Sequence, residues 1–208
     1  MSDAHDILVF WFGEPAASVA ELQRKLERWF LTNPDFDREI ALRFTGDVER
    51  ALAGELGEWR ADGRASLALV VILDQFTRTL FRDQGRAFAG DAAAREIALE
   101  LFERGLHRGF SLDERHFLIM PLLHAEDLEL QKRAGQLCRE LVADAPAEFR
   151  PLYARSVEQS DKYIDILTRF GRFPHRNAAL GRESTEAEVE FLRDWKARQH
   201  PTGMRDKK

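Results

Sequence analysis

Four capping signatures constrain this chain more than any other feature. Ser18-x-x-Glu21, Asn33-Pro34, Ser111-x-x-Glu114 and Thr185-x-x-Glu188 each stand directly before a run whose apolar residues recur at helical spacing. In the Ser/Thr-x-x-Glu pattern, hydroxyl and carboxylate each accept a backbone N–H at the helix start that has no intrahelical partner. Asn followed by Pro supplies a cap and a residue already set for the first turn. No segment alternates with period two in β-branched residues, so no strand is expected.

The punctuation predicts helices over about 3–12, 18–30 and onward from Asn33. Thr45-Gly46-Asp47 is expected to break the third helix, leaving a fourth that carries Val48, Ala51, Leu52 and Leu56. A fifth, about 64–81, is apolar nearly all round its first half and is expected to be buried on most sides. After a loop at 82–90, Asp91 is expected to cap a helix ending at Gly105. The helix opened by Ser111 is expected to kink at Pro121, which cannot donate to the carbonyl of Phe117, and to resume to about Ala143. Pro146 is expected to start a long helix to Phe170, and Thr185 to cap a last one to about Ala197. The fold class is therefore all-α. We expect a single domain over 1–197 of about eight to ten helices in antiparallel pairs, followed by a polar tail at 198–208. No fixed-period repeat is evident.

A chain of 208 residues is long enough for one substantial core. A net charge of −5 argues against general nucleic-acid binding, which needs an excess of cations on one face. The longest apolar run, Leu67 to Leu73, is too short to cross a bilayer, and the acidic first residues do not resemble a secretory signal. A cytoplasmic protein with no membrane partner is expected. The single cysteine, Cys138, sits in an apolar helical pattern and reads as a buried, inert thiol.

Three polar constellations interrupt the apolar scaffold. In the first, Asp74, Gln75, Arg78 and Arg82 share about one quadrant of the fifth helix. Asp74 follows seven apolar residues, so it is expected in the interior, where an ionised carboxylate needs a partner. Arg78, one turn on, can be that partner, or the arginines can leave donors free for a ligand oxyanion. The second holds His116, His124, Glu126, Asp127 and Gln131. His124 and Asp127, spaced i, i+3, can form a dyad in which the carboxylate orients the imidazole as a general base, or a structural pair. The spacing lacks the His-Glu-x-x-His and Glu-x-x-His patterns of metal-binding helices, so no metal or other cofactor is expected.

The third constellation is Phe170-Gly171-Arg172-Phe173-Pro174-His175-Arg176-Asn177. The Gly and Pro stop the preceding helix, and the two aromatics are expected to anchor the loop in the core. Arg172, His175, Arg176 and Asn177 then either meet an anionic ligand, or Arg172 or Arg176 neutralises Asp74, Asp91 or Asp127 across the fold.

At these residues the chain resembles, over nearly its full length, the bacterial family known as domain of unknown function 924. The resemblance rests on Phe10-Trp11-Phe12-Gly13, Arg28-Trp29-Phe30, Leu73-Asp74-Gln75-Phe76, Phe88-Ala89-Gly90-Asp91, the stretch from Pro121 to Asp127, and Phe170 to Asn177. It implies an all-helical, tetratricopeptide-like fold and no particular activity. Two positions depart from the family pattern: Thr77 stands where a proline is usual, and Tyr163 where a histidine is usual. The second departure weighs against catalysis at that position.

Three functional readings follow. The chain is a binding module, in which Asp74, Gln75, Arg78, Arg82, His124, Glu126, Arg172, His175, Arg176 and Asn177 form a groove for an anionic peptide or small metabolite. Alternatively it is a small hydrolase-like enzyme using His124 and Asp127, or the loop only braces the fold. Oligomeric state is not encoded in any feature of the sequence.

Overall fold

The computed structural model describes residues 2–199, with side chains described as far as Trp195. The chain folds into helices α1 (Ala4–Phe12), α2 (Val19–Phe30), α3 (Pro34–Leu52), α4 (Gly63–Val70), α5 (Thr77–Leu80), α6 (Asp91–Glu103), α7 (Leu112–Leu123), α8 (Leu128–Asp144), α9 (Arg150–Phe170) and α10 (Glu186–Gln199). A π-helical segment, Val71–Phe76, joins α4 to α5 in one rod. Counted so, there are nine helices in a single domain, and no strand, among the described residues. The tail expected at 198–208 lies, from 200 on, outside the described residues.

All four capping signatures close as expected. Glu21, Phe36, Glu114 and Glu188 donate their backbone N–H to Ser18, Asn33, Ser111 and Thr185. The α4–α5 rod is the core's axis: α1 and α6 pack on α4, while α3 packs on the π-helical segment and α5. An aromatic cluster fills the space beside it. Phe44 lies 4.8 Å from Phe10 and 5.0 Å from Phe76, and Trp29 lies 4.8 Å from Phe117. The Phe10-Trp11-Phe12 and Arg28-Trp29-Phe30 stretches meet here: the Trp29 indole donates to the Trp11 carbonyl, and Arg28 to that of Phe10.

Four expectations about element boundaries are revised. Gly46 does not break α3, which runs through it. Phe36, Ile40, Phe44, Val48 and Ala51 form one buried stripe, and burying it outweighs the ~1 kcal/mol that a mid-helix glycine costs. Asp91 does not cap α6. It is the first helical residue, Gly90 holds the cap position without a side-chain bond, and the Asp91 carboxylate turns to two arginines. Pro121 does not itself interrupt the helix: the break comes after Leu123, and the helical run resumes as α8, to Asp144. α7 continues past it to Leu123, and the chain breaks there because Gln131, fully buried, donates to the carbonyls of Leu123 and Ala125 while Asp127 caps α8. The long helix begins at Arg150, after a turn from Pro146 to Phe149, rather than at Pro146 itself.

Candidate functional site

The π-helical segment places Asp74. Thr77 donates its backbone N–H to the carbonyl of Ile72, five residues back, and its hydroxyl to the carbonyl of Leu73. The backbone thus widens by one residue just where the neighbouring loop approaches: a Cβ on Gly90 would stand 2.2 Å from the Leu73 oxygen, so only glycine fits there. That contact seats Asp91, the next residue, against the Asp74 turn. The threonine that departs from the family pattern therefore supplies a hydroxyl to the widened turn where proline could supply no N–H.

Six side chains meet at this point. Asp74 is fully buried and accepts from Gln75 at 2.6 Å, pairs with Arg78 at 3.0 Å and with His124 Nδ1 at 2.8 Å. Arg78 also reaches Asp91 at 2.9 Å, and Arg176 reaches Asp91 at 3.4 Å. Burial works against the Asp74 charge, but Arg78, His124 and Gln75 outweigh it and hold its pKa at about 2. Asp91 is pushed the other way, chiefly by burial and then by the nearby Asp74 charge, against the pull of Arg78 and Arg176. Burial, with Arg78 beside it, lowers the pKa of His124, so the imidazole is neutral at pH 7. A carboxylate only accepts, so Nδ1 carries the proton toward Asp74 and Nε2 is left with its lone pair. Arg176 lies flat between Phe88, 4.7 Å away, and Phe173, 4.9 Å away. The sole hydrogen bond of its side chain among the described residues is the 3.4 Å one to Asp91.

The His124–Asp127 dyad does not form. Asp127 is exposed and its carboxylate accepts the Leu130 N–H as the α8 cap, while His124 pairs with Asp74 from fifty residues earlier. Nor do His116, His124, Asp127 and Gln131 share one helix face, because α7 ends at Leu123. Arg82 is also outside the cluster, paired with Asp37 at the surface. Asp74, Gln75, Arg78, His124 and Arg176 do come together, and Asp91, which the sequence offered only as an acid for the loop arginines, completes the set.

The remaining loop residues form a separate lattice. Arg172 grips Glu188 with two bonds of 2.7 and 2.8 Å. Glu126 accepts the Phe173 N–H and two bonds from Arg182, at 2.6 and 2.8 Å. Asn177 is buried, donating to Ser184 and accepting from Arg182. His175 is exposed and stacks parallel to Trp195 at 5.3 Å. Arg182 enters this lattice as the residue that ties Glu126 to Asn177, a role its position beside Gly181 did not reveal. Among the described residues no group of three or more His, Cys, Asp or Glu is placed to hold a metal ion, and no helix is long and apolar enough to cross a membrane.

Fold and site together define an all-helical domain built around a half-buried cluster of two carboxylates, two guanidiniums and an imidazole. The chain belongs to the family described as bacterial protein of unknown function (DUF924), which it matches over residues 7–195. A protein of unknown function from Agrobacterium tumefaciens has a similar solved structure, with a TM-score of 0.75 and 34% sequence identity. That match covers 92% of this chain and 97% of the other. No curated protein matches the chain.

Proposed function

We propose that the protein binds a small metabolite with its anionic group on Arg176 and a hydroxyl or amine N–H of the same molecule donating to the free Nε2 of His124. The observation that carries this reading is the single 3.4 Å bond of a guanidinium that is 8% exposed. A buried arginine ordinarily spends its five N–H donors on nearby acceptors. Here Arg78 and Arg176 share Asp91, and the imidazole Nε2 stands beside them with no partner among the described residues. A carboxylate or phosphate oxygen entering the cluster takes bidentate bonds from Arg176. The openings are small, with Arg78, Asp91 and His124 side chains only 22%, 16% and 11% exposed, which favours a small anionic group over a peptide chain. Arg82, Arg172 and Asn177 are spent on Asp37, Glu188 and Arg182, so the site is narrower than a groove lined by the whole loop.

The test is a thermal-shift screen against carboxylate and phosphate metabolites, repeated on Arg176→Ala and His124→Ala. Stabilisation by a ligand that disappears in Arg176→Ala, with the variant folded, is the expected result. A folded variant that keeps the full shift rules the site out. The Asp74–His124 hydrogen bond favours one second reading, in which His124 acts as a general base on whatever Arg176 holds, with Asp74 orienting it. Under that reading turnover is lost in a folded His124→Gln while ligand binding persists.

A further inference from the structure

A cavity of about 520 Å³ opens on the side of the molecule where α2, α7, α9 and α10 converge. That size falls within the roughly 300–1,000 Å³ of small-molecule sites. Leu26, Phe30, Met120, Leu123, Leu152 and Trp195 supply apolar wall. No residue of the Asp74–Arg176 cluster lines it, although Leu123 and Tyr163 stand between the two regions.

Three features are unexplained by folding alone. Phe30 and Leu31, 47% and 64% exposed, leave large apolar side chains facing solvent next to the cavity that both of them line. His116 is 6% exposed and lines the cavity; its Nδ1 is shut off from solvent without a hydrogen-bond partner, and its Nε2, bonded to no described residue, is the ring atom a ligand can reach. An orphaned polar atom of that kind is costly, and native structures rarely keep one without a use. Burial drives the His116 pKa down to about 4, so the ring is neutral at pH 7 and offers a hydrogen bond rather than a charge. Arg155, exposed on α9, also lines the cavity and forms no ion pair among the described residues. The opposite charge at this site, Glu27, already accepts from Gln23 at 3.0 Å.

From these we infer that the cavity is a binding site for a small amphipathic carboxylate, its acid group on Arg155, its apolar body between α2 and α7, and a hydroxyl or carbonyl of that body on His116. This site is separate from the cluster at Arg176 and stands or falls independently of it. An exposed, unpartnered guanidinium and a buried neutral imidazole give the ligand one charged and one uncharged polar contact, and the apolar wall excludes a ligand charged along its length.

The probes are decanoate, decanol and ω-hydroxydecanoate, read by thermal shift and by displacement of anilinonaphthalene sulfonate fluorescence. Decanoate is expected to stabilise the protein and displace the dye, with decanol about tenfold weaker because it lacks the charge. Arg155→Ala, a surface change that leaves the core intact, is expected to weaken decanoate about tenfold and abolish its advantage over decanol. His116→Phe is expected to erase any preference for ω-hydroxydecanoate over decanoate. Met120→Trp should fill the cavity and stop binding, whereas Arg176→Met should leave decanoate binding unchanged. The inference is overturned if decanoate neither shifts the melting temperature nor displaces the dye, if decanol binds as well, or if Arg155→Ala binds as before. Loss of decanoate binding in a folded Arg176→Met would place the ligand at the other cluster and overturn it equally.

Discussion

Arg172 and Arg176 lie four residues apart on one loop and meet opposite fates. Arg172 makes two short bonds to Glu188, which is itself buried, and a third to the Glu183 carbonyl. Next to that pair, Glu126 is fully occupied by Arg182 and the Phe173 N–H. Burial opposes its charge, yet these partners keep its pKa below the ordinary carboxylate range. Arg176 is the better hidden of the two, its side chain 9% exposed against 30% for Arg172, yet it holds one long side-chain bond, shares its acid with Arg78, and has its pKa lowered by burial and by that neighbour. Charge content does not separate the two regions, and burial alone would predict the reverse; satisfaction of donors separates them. Where every donor is spent the loop is a brace, and where donors remain it has capacity for a ligand.

The largest effect is expected from breaking the frame beneath the cluster. A methyl group on Gly90 would stand 2.2 Å from the Leu73 carbonyl oxygen, and backbone rather than a flexible side chain must yield. Gly90→Ala should cost about 3 kcal/mol or more in urea unfolding. The π-helical turn and α6 should separate, taking Asp74 and Asp91 out of register. Next in size is the brace. Glu126→Ala leaves the Phe173 N–H and the Arg182 guanidinium without their acceptor, and should cost about 2 kcal/mol. Ligand binding at Arg176 should survive it at temperatures where the variant is folded.

The frame was legible in the sequence and the site only in part, for a physical reason. Caps act locally, so Ser18, Asn33, Ser111 and Thr185 could be read from residues three positions away. Gly46 misled because its local cost is fixed while the benefit of burying Phe44 and Val48 comes from helices elsewhere in the chain. The same distinction applies to His124. Asp127 is its neighbour along the chain, but a carboxylate at a helix start is drawn to orphaned N–H groups, and the true partner, Asp74, arrives through tertiary packing. Asp74 itself announced a partner through the seven apolar residues before it. The cavity carried no pattern, since its lining comes from four helices that contribute one to five residues each.

Acid unfolding sharpens the contrast between a buried group with partners and one without. His116, pushed to about 4 by burial with only the Asp113 charge opposing, binds its proton more tightly in the unfolded chain, near pH 6.5. Its contribution is therefore complete above pH 6.5 and is lost as the pH falls toward 4, at about 1.4 kcal/mol per pH unit. Asp74, held at about 2 against 3.8, contributes fully above pH 3.8 and loses that stability only as the pH falls toward 2. Unfolding free energies measured from pH 7 to pH 2 should show two successive losses. His116→Phe should make the upper window shallower, the rest of its slope coming from His175, whose pKa desolvation also lowers to about 4. Asp74→Asn should do the same to the lower one, which Glu188, held to about 2 by Arg172, shares. A His116→Phe profile as steep as that of the parent would mean that the ring is protonated in the folded protein.

The smallest stability change is expected at the residue proposed to hold the ligand. Arg176→Met keeps most of the side-chain volume between Phe88 and Phe173, and Asp91 retains Arg78 at 2.9 Å. Removing a buried guanidinium also relieves its desolvation and its repulsion with Arg78, and exchanges of this kind are often neutral or stabilising. The melting free energy should move by less than about 1 kcal/mol, in contrast to Glu126→Ala, while stabilisation by an anionic ligand disappears. If Arg176→Met instead destabilises the protein as much as Glu126→Ala does, then Arg176 belongs to the brace, and the leftover donors are not a ligand site.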